Sequence, residues 1–70
     1  MDNITGRLEN WYYQPDEERM VGNIYNDTKG RFPDGLKVKT SLVIAPFDGF
    51  KEGTVISTLY SVYLLGKENI

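Results

Sequence analysis

Hydrophobic and polar residues alternate along most of this chain, which is the pattern of β-strands with one buried face. Three alternating segments are separated by turn signals. A longer segment, rich in β-branched and aromatic residues, follows them. We expect this last segment to bend near Thr58 to Tyr60 and to serve two neighbouring strands. The predicted strands are Ile4–Tyr13, Arg19–Asn26, Leu36–Ala45 and the stretch 54–66.

Turn-forming residues interrupt the pattern every ten or so residues. Pro15 and Asp16 predict a hairpin loop after the first strand. The triplet Pro33-Asp34-Gly35 predicts a turn in which Gly35 is free to take a positive φ. Four to six short strands in 70 residues indicate one small all-β domain spanning residues 1–70. We expect a twisted antiparallel sheet or a half-open barrel.

Strict alternation within each strand predicts which side chains form the core. In the first strand it places Leu8 and Tyr12 on one face and Trp11 on the other. In the third strand it places Leu42 and Ile44 together on the buried face. The predicted core is Leu8, Ile24, Val38, Leu42, Ile44, Leu59, Val62 and Leu64, with Phe32 or Phe47 plugging one end.

Size and composition narrow the function classes. A chain of 70 residues buries a modest core and is marginally stable, so many such domains gain stability from disulfides, metals or partner subunits. With 0 Cys and 0 His, disulfides and the common zinc sites are excluded, and we expect no metal and no cofactor. Self-association is the remaining source of extra stability. A content of 40% hydrophobic and 13% aromatic residues favours a homo-oligomer.

The charge balance and the start of the chain bear on partners and location. A net charge of −2 provides no general attraction to nucleic acid or anionic lipid. The opening residues lack the basic and apolar regions of a signal peptide, and no apolar run approaches membrane-spanning length. We therefore expect a cytoplasmic protein that does not associate with membranes.

The chain lacks the residues on which most catalytic sites depend. Ser41, Ser57 and Ser61 have no histidine to activate them, and no nucleotide-binding fingerprint is present. The acidic run Asp16-Glu17-Glu18 falls in a predicted hairpin turn, where it is a solvated tip. We expect no catalytic residues and a protein that is not an enzyme.

The most promising polar site lies in the loop from Asn26 to Gly35. Lys29, Gly30 and Arg31 combine a positive charge, a flexible backbone and a guanidinium fork, which are the parts of an anion site. Asp34 shapes the turn beside them. The alternative is that Arg31 pairs with Asp27 or Asp34 and only holds the loop together.

Hydroxyl-bearing residues on two later segments could form the other wall of this site. Thr40 and Ser41 follow the loop, and Ser61 and Tyr63 lie in the last segment. If the two strands are neighbours, these side chains converge near Arg31. Ordinary hydroxyl pairing between strands is the alternative. Trp11 is a candidate for stacking on a ligand, and the alternative is a core or interface position.

Two segments carry a recurring pattern, "RFPDGLKVKTS" and "TLYSVYLLG". They match R-F-x-D-G-x-x-[IV]-x-T-S at Arg31–Ser41 and T-x-x-S-x-Y-x-L-G at Thr58–Gly66. In this pattern the chain resembles a widespread set of small uncharacterised phage and prophage proteins. The resemblance implies a short protein made in the cytoplasm of a bacterial host during infection.

Three function hypotheses follow from these features. The first is a non-enzymatic phage-type accessory protein that binds or sequesters a small anionic, nucleotide-like ligand in counter-defence. The second is a protein–protein inhibitor that blocks a host enzyme or defence complex through an exposed sheet face. The third is a small barrel that binds single-stranded nucleic acid through Lys37, Lys39, Lys51 and aromatic residues. The net negative charge of the chain disfavours such binding.

Overall fold

The computed structural model describes residues 4–46 and 49–69. Those residues form five β-strands and no helix, which confirms the all-β prediction. The last stretch is divided as expected, with a turn at residues 59–61. The strands are β1 (Gly6–Gln14), β2 (Arg19–Tyr25), β3 (Lys37–Ala45), β4 (Val55–Thr58) and β5 (Val62–Leu65).

The strands form a closed barrel in chain order, and β5 pairs with β1. Successive strands are antiparallel, and only the closing pair is parallel, with Gly6 opposite Tyr63 and Leu8 opposite Leu65. The parallel pair follows from the odd number of strands. Strands that alternate in direction leave the first and the fifth pointing the same way. The barrel is therefore closed rather than half-open, and it is not antiparallel throughout.

A β-bulge in β1 changes which aromatic residue enters the core. Asn10 and Trp11 lie opposite Gly22 alone, and Asn10 takes a positive φ of 54°. The extra residue reverses the alternation, so Trp11 joins Leu8 in the core. The prediction that Trp11 lies on the face opposite Leu8 was wrong, because strict alternation does not continue through a bulge.

A second bulge, in β3, also changes which residues of its strand point into the core. Thr40 and Ser41 lie opposite Met20 alone. Beyond this bulge Val43 is buried, and Ile44 is about half exposed. Leu42 is intermediate. The predictions that Leu42 and Ile44 point into the core were therefore wrong, and the shift of one residue is the reason.

The core also differs from the predicted one in the residues that the last part of the chain contributes. Leu59 lies exposed at the β4–β5 turn. In β5 the inward residues are Tyr63 and Leu65, while Val62 and Leu64 are intermediate. Phe32 and Val38 pack against the core, and Phe47 lies outside the described residues. The buried cluster is Leu8, Trp11, Met20, Ile24, Val43, Ile56, Tyr63 and Leu65.

The order of the strands also decides which connections meet. Each connection reverses the chain, so the β2–β3 loop (26–36) and the β4–β5 turn (59–61) lie at one end of the barrel, together with the start of β1. We call this the loop end. The β1–β2 turn and the β3–β4 connection lie at the opposite end.

Candidate functional site

Asp27 organises the β2–β3 loop. Its carboxylate accepts backbone N–H bonds from Lys29 (3.3 Å), Arg31 (2.7 Å) and Phe32 (3.2 Å), and its side chain is 0% exposed. Gly30 takes a positive φ of 66°, which lets the chain wrap around the carboxylate. Converging N–H groups of this kind form an anion-binding nest, and here the loop supplies its own anion.

The Arg31 side chain is held on three sides. Its Nη2 lies 3.2 Å from Asp27 Oδ1 and donates to the Tyr63 hydroxyl at 3.3 Å. Its guanidinium lies 5.0 Å from the centre of the Phe32 ring, in cation–π geometry. The guanidinium therefore has a defined position while remaining 34% exposed.

The contact between Asp27 and Arg31 favours the charged form of each side chain. Burial acts to raise the pKa of Asp27, but hydrogen bonds from the Arg31 side chain and from the Arg31 and Lys29 backbones outweigh it, so the pKa lies below its usual value of 3.8. The hydrogen bond to Asp27 raises the pKa of Arg31, and the bond to Tyr63 adds to this shift against the effect of burial. The Asp27–Arg31 pairing that the sequence left open is thus present.

Lys29 joins the loop to the β4–β5 turn. Its Nζ donates to the backbone oxygen of Tyr60 at 2.6 Å and to Ser61 Oγ at 3.2 Å. Ser61 is itself fixed because its backbone N–H donates to Thr58 Oγ1 and its backbone oxygen accepts from Thr58. The hydroxyl proton of Ser61 is then available to a ligand.

These elements enclose a groove of about 190 Å³. It lies where β3 has no β4 partner, because the described β3–β4 pairing covers Val43 and Ala45 only. The bulge in β3 falls at this point, and both of its residues line the groove. The groove is lined by Arg31, Phe32, Val38, Lys39, Thr40, Ser41, Tyr60, Ser61 and Tyr63.

Most of the residues predicted from the sequence meet at this groove. Arg31, Thr40, Ser41, Ser61 and Tyr63 line it, and Lys29 reaches its rim through Ser61. The hydroxyl of Thr40 has a structural role, since Oγ1 donates to Ser41 O (2.8 Å) and accepts from the Met20 N–H (3.1 Å). Its proton is therefore engaged within the barrel.

Two predicted site residues lie elsewhere. Trp11 is 2% exposed in the core, and its indole N–H donates to Gly66 O at 2.9 Å, so its ring cannot stack on a ligand. Asp34 does not line the groove. Its Oδ1 accepts the N–H of Asn26 at 2.8 Å and so holds the start of the loop.

Sequence reasoning missed the aromatic and basic contributions of Phe32, Lys39 and Tyr60 to the groove. Tyr60 is 74% exposed at the tip of the β4–β5 turn, where an aromatic ring can stack on a flat ligand. Its place between two strand segments in the sequence was the available signal. Lys39 pairs with Glu17 at 3.0 Å in an exposed contact of little energetic value.

The groove suits anion binding better than acid–base chemistry. Arg31, Lys39 and Lys29 bring three cations to it, of which Arg31 and Lys39 pair with Asp27 and Glu17. Among the residues that the structure describes, no carboxylate lines the groove itself. Within residues 4–46 and 49–69, no group of three or more acidic side chains is placed to hold a metal ion.

No protein-family model, curated protein or solved structure matches the chain. Within the described part of the chain, no helix is long and apolar enough to cross a membrane.

Proposed function

We propose that the groove binds a small phosphate-bearing, nucleotide-like molecule and that the protein acts by holding this ligand rather than by transforming it. The observation that carries the proposal is the placement of Arg31. Its guanidinium is fixed by Asp27, Tyr63 and Phe32 beside a groove whose lining, in the described part of the chain, includes no carboxylate. A cation held in advance gives up little conformational entropy when an anion binds.

The other polar groups complete a phosphate site. Lys29 Nζ donates to Ser61 Oγ, and Arg31 Nη2 donates to the Tyr63 hydroxyl, so each cation of the loop is paired with a hydroxyl group. Ser41 adds a hydroxyl on the β3 side. Arginine forks and hydroxyl donors are the groups that recognise phosphate oxygens.

The biological role follows from the resemblance together with the site. A small phage-type protein that binds a nucleotide-like anion without altering it fits the sequestration of a host signal, as an accessory to infection in the bacterial cytoplasm. This proposal rests on class analogy for its context and on the groove for its chemistry.

Binding of pyrophosphate and ADP to the purified protein, measured by isothermal titration calorimetry, tests the proposal. We expect Arg31→Gln to weaken ADP binding about tenfold to a hundredfold, because a hydrogen bond to a charged group contributes about 1.5–3 kcal/mol. Lys29→Gln should have a smaller effect in the same direction. Lys51→Gln is the matched control, since it removes one cation at the opposite end of the barrel.

Circular dichroism of each variant separates loss of binding from loss of fold. If Arg31→Gln unfolds the protein, Arg31 serves to hold the loop, and Lys29→Gln then becomes the deciding variant. Failure of both anions to bind the folded wild-type protein at millimolar concentration, in low salt, would refute the proposal.

A further inference from the structure

The groove is too small to enclose a nucleotide. Pockets that bury small ligands usually measure about 300–1,000 Å³, whereas this groove measures about 190 Å³. If the proposed function holds, a single copy covers the phosphate of a nucleotide and leaves the base outside. Something else must cover the base if the ligand is to be sequestered.

The loop end, where the groove lies, also presents apolar side chains to solvent. Tyr60 is 74% exposed and Leu59 is 52% exposed, and both belong to the β4–β5 turn. Ile4 and Leu36 are also exposed and lie just before β1 and β3, at the same end of the barrel. Of the large exposed hydrophobic residues in the described chain, only Ile44 and Val55 lie toward the other end.

This apolar surface is suited to a partner but is small. Stable interfaces bury about 800 Å² per partner, and one aromatic side chain contributes about 150–250 Å². Charge gives two bare copies no net attraction, because Lys29 and Arg31 are balanced by Asp27 and Asp34 of the same loop. A two-fold arrangement places the same groups of both copies near each other. The remaining contact must therefore come from a bound ligand.

We propose that a second copy of this chain closes the groove and that the dimer forms only around a bound nucleotide. Each copy grips the phosphates with its own Arg31 and Lys29. The exposed ring of Tyr60 reaches across the two-fold axis and stacks on the base held by the partner. Each ligand is then buried between two copies, with its phosphates on one copy and its base against Tyr60 of the other.

Native mass spectrometry with and without ADP tests the inference. We expect the 8.0 kDa monomer alone and a species of twice that mass, with two ADP molecules, when ADP is present. Tyr60→Ala should abolish the dimer and weaken ADP binding about tenfold or more. Ile44→Ser, an exposed apolar position at the opposite end, is the matched control and should leave both unchanged.

Mixing two variants shows whether Tyr60 acts across the interface. The Arg31→Gln protein retains Tyr60, and the Tyr60→Ala protein retains Arg31. In a mixed dimer one complete site forms, so ADP binding should return at one site per pair. No recovery on mixing would show that Tyr60 acts within its own chain and would overturn the inference.

The outcomes also separate this inference from the proposed function. ADP binding that depends on Arg31, with the protein still monomeric at saturation, would leave the function standing and overturn the dimer. A dimer of equal strength without ADP would overturn the ligand dependence. Absence of any ADP binding would remove both.

Discussion

The Asp27 carboxylate makes a sharp prediction about the stability of the loop, tested by Asp27→Asn. The change preserves shape but removes the charge and one of the two acceptor oxygens. The oxygen that remains can still accept from the Arg31 and Phe32 N–H groups, as Oδ2 does now. The new amide would instead face the Lys29 N–H and Arg31 Nη2, which are both donors.

The magnitude follows from these contacts. One backbone bond is lost at about 1 kcal/mol, and two charge-assisted bonds become neutral ones of about half the strength. The ion pair adds little more, because Arg31 is 34% exposed and surface pairs are screened. The free energy of unfolding should fall by about 2–3 kcal/mol, which is a large part of the 3–5 kcal/mol that so small a core supplies. The melting temperature should fall by about 10–20 °C.

Thermal and urea unfolding, followed by circular dichroism, provide the measurement. The matched control is Asp34→Asn in the same loop, whose carboxylate accepts one exposed N–H bond from Asn26, which an amide oxygen can replace. It should cost less than about 0.5 kcal/mol. If the two variants are equally stable, the argument that Asp27 organises the loop is wrong.

Urea unfolding also measures the effect of pH on the loop and the effects of two substitutions in the barrel. Folding lowers the pKa of Asp27, so this carboxylate stabilises the folded state at pH values above its ordinary pKa of 3.8. The stabilisation is lost as the pH falls through the lower pKa of the folded state. In the Asp27→Asn variant the free energy of unfolding should therefore fall less steeply at acid pH than in the wild-type protein. Gly22→Ala should cost about 1–3 kcal/mol, since a Cβ would lie 3.1 Å from both Glu9 O and Trp11 Cβ at the β1 bulge. An unchanged urea midpoint would contradict this. Thr40→Val should cost about 1–3 kcal/mol, because the buried Met20 N–H loses its acceptor, whereas Ser41→Val lacks this effect.

The chemistry of the site was more predictable than its geometry. The types of residue near Arg31 could be read from the sequence, since cations and hydroxyls cluster in a loop and in the strand after it. The meeting of Ser61 and Tyr63 with Arg31 depended on an unproven condition, that their strand segments are neighbours. The topology does not meet this condition, because β4 lies between β3 and β5. The side chains meet instead because the β2–β3 loop and the β4–β5 turn lie at the same end and the described β3–β4 pairing covers only Val43 and Ala45.

Trp11 and Tyr60 show why the sequence did not predict which aromatic ring lies at the groove. Strict alternation placed Trp11 on the face opposite Leu8, and it assigned Tyr60, at the predicted bend, to neither face. The β1 bulge turned Trp11 inward, and the brevity of β4 left Tyr60 at an exposed turn. The bulge in β3 likewise moved Val43 into the core and left Ile44 outside, and the turn after β4 left Leu59 exposed.

The sequence by itself determined the strands, the turns and the absence of histidine and cysteine chemistry, because these follow from local backbone preferences and from composition. Only the tertiary structure decided barrel closure, the parallel β1–β5 pair and the inward face of β3 and β5. Those features depend on pairing between distant residues, where a single extra residue in one strand exchanges the two faces. The groove exists for the same reason: the bulge in β3 and its missing β4 partner are properties of the paired strands rather than of either strand alone.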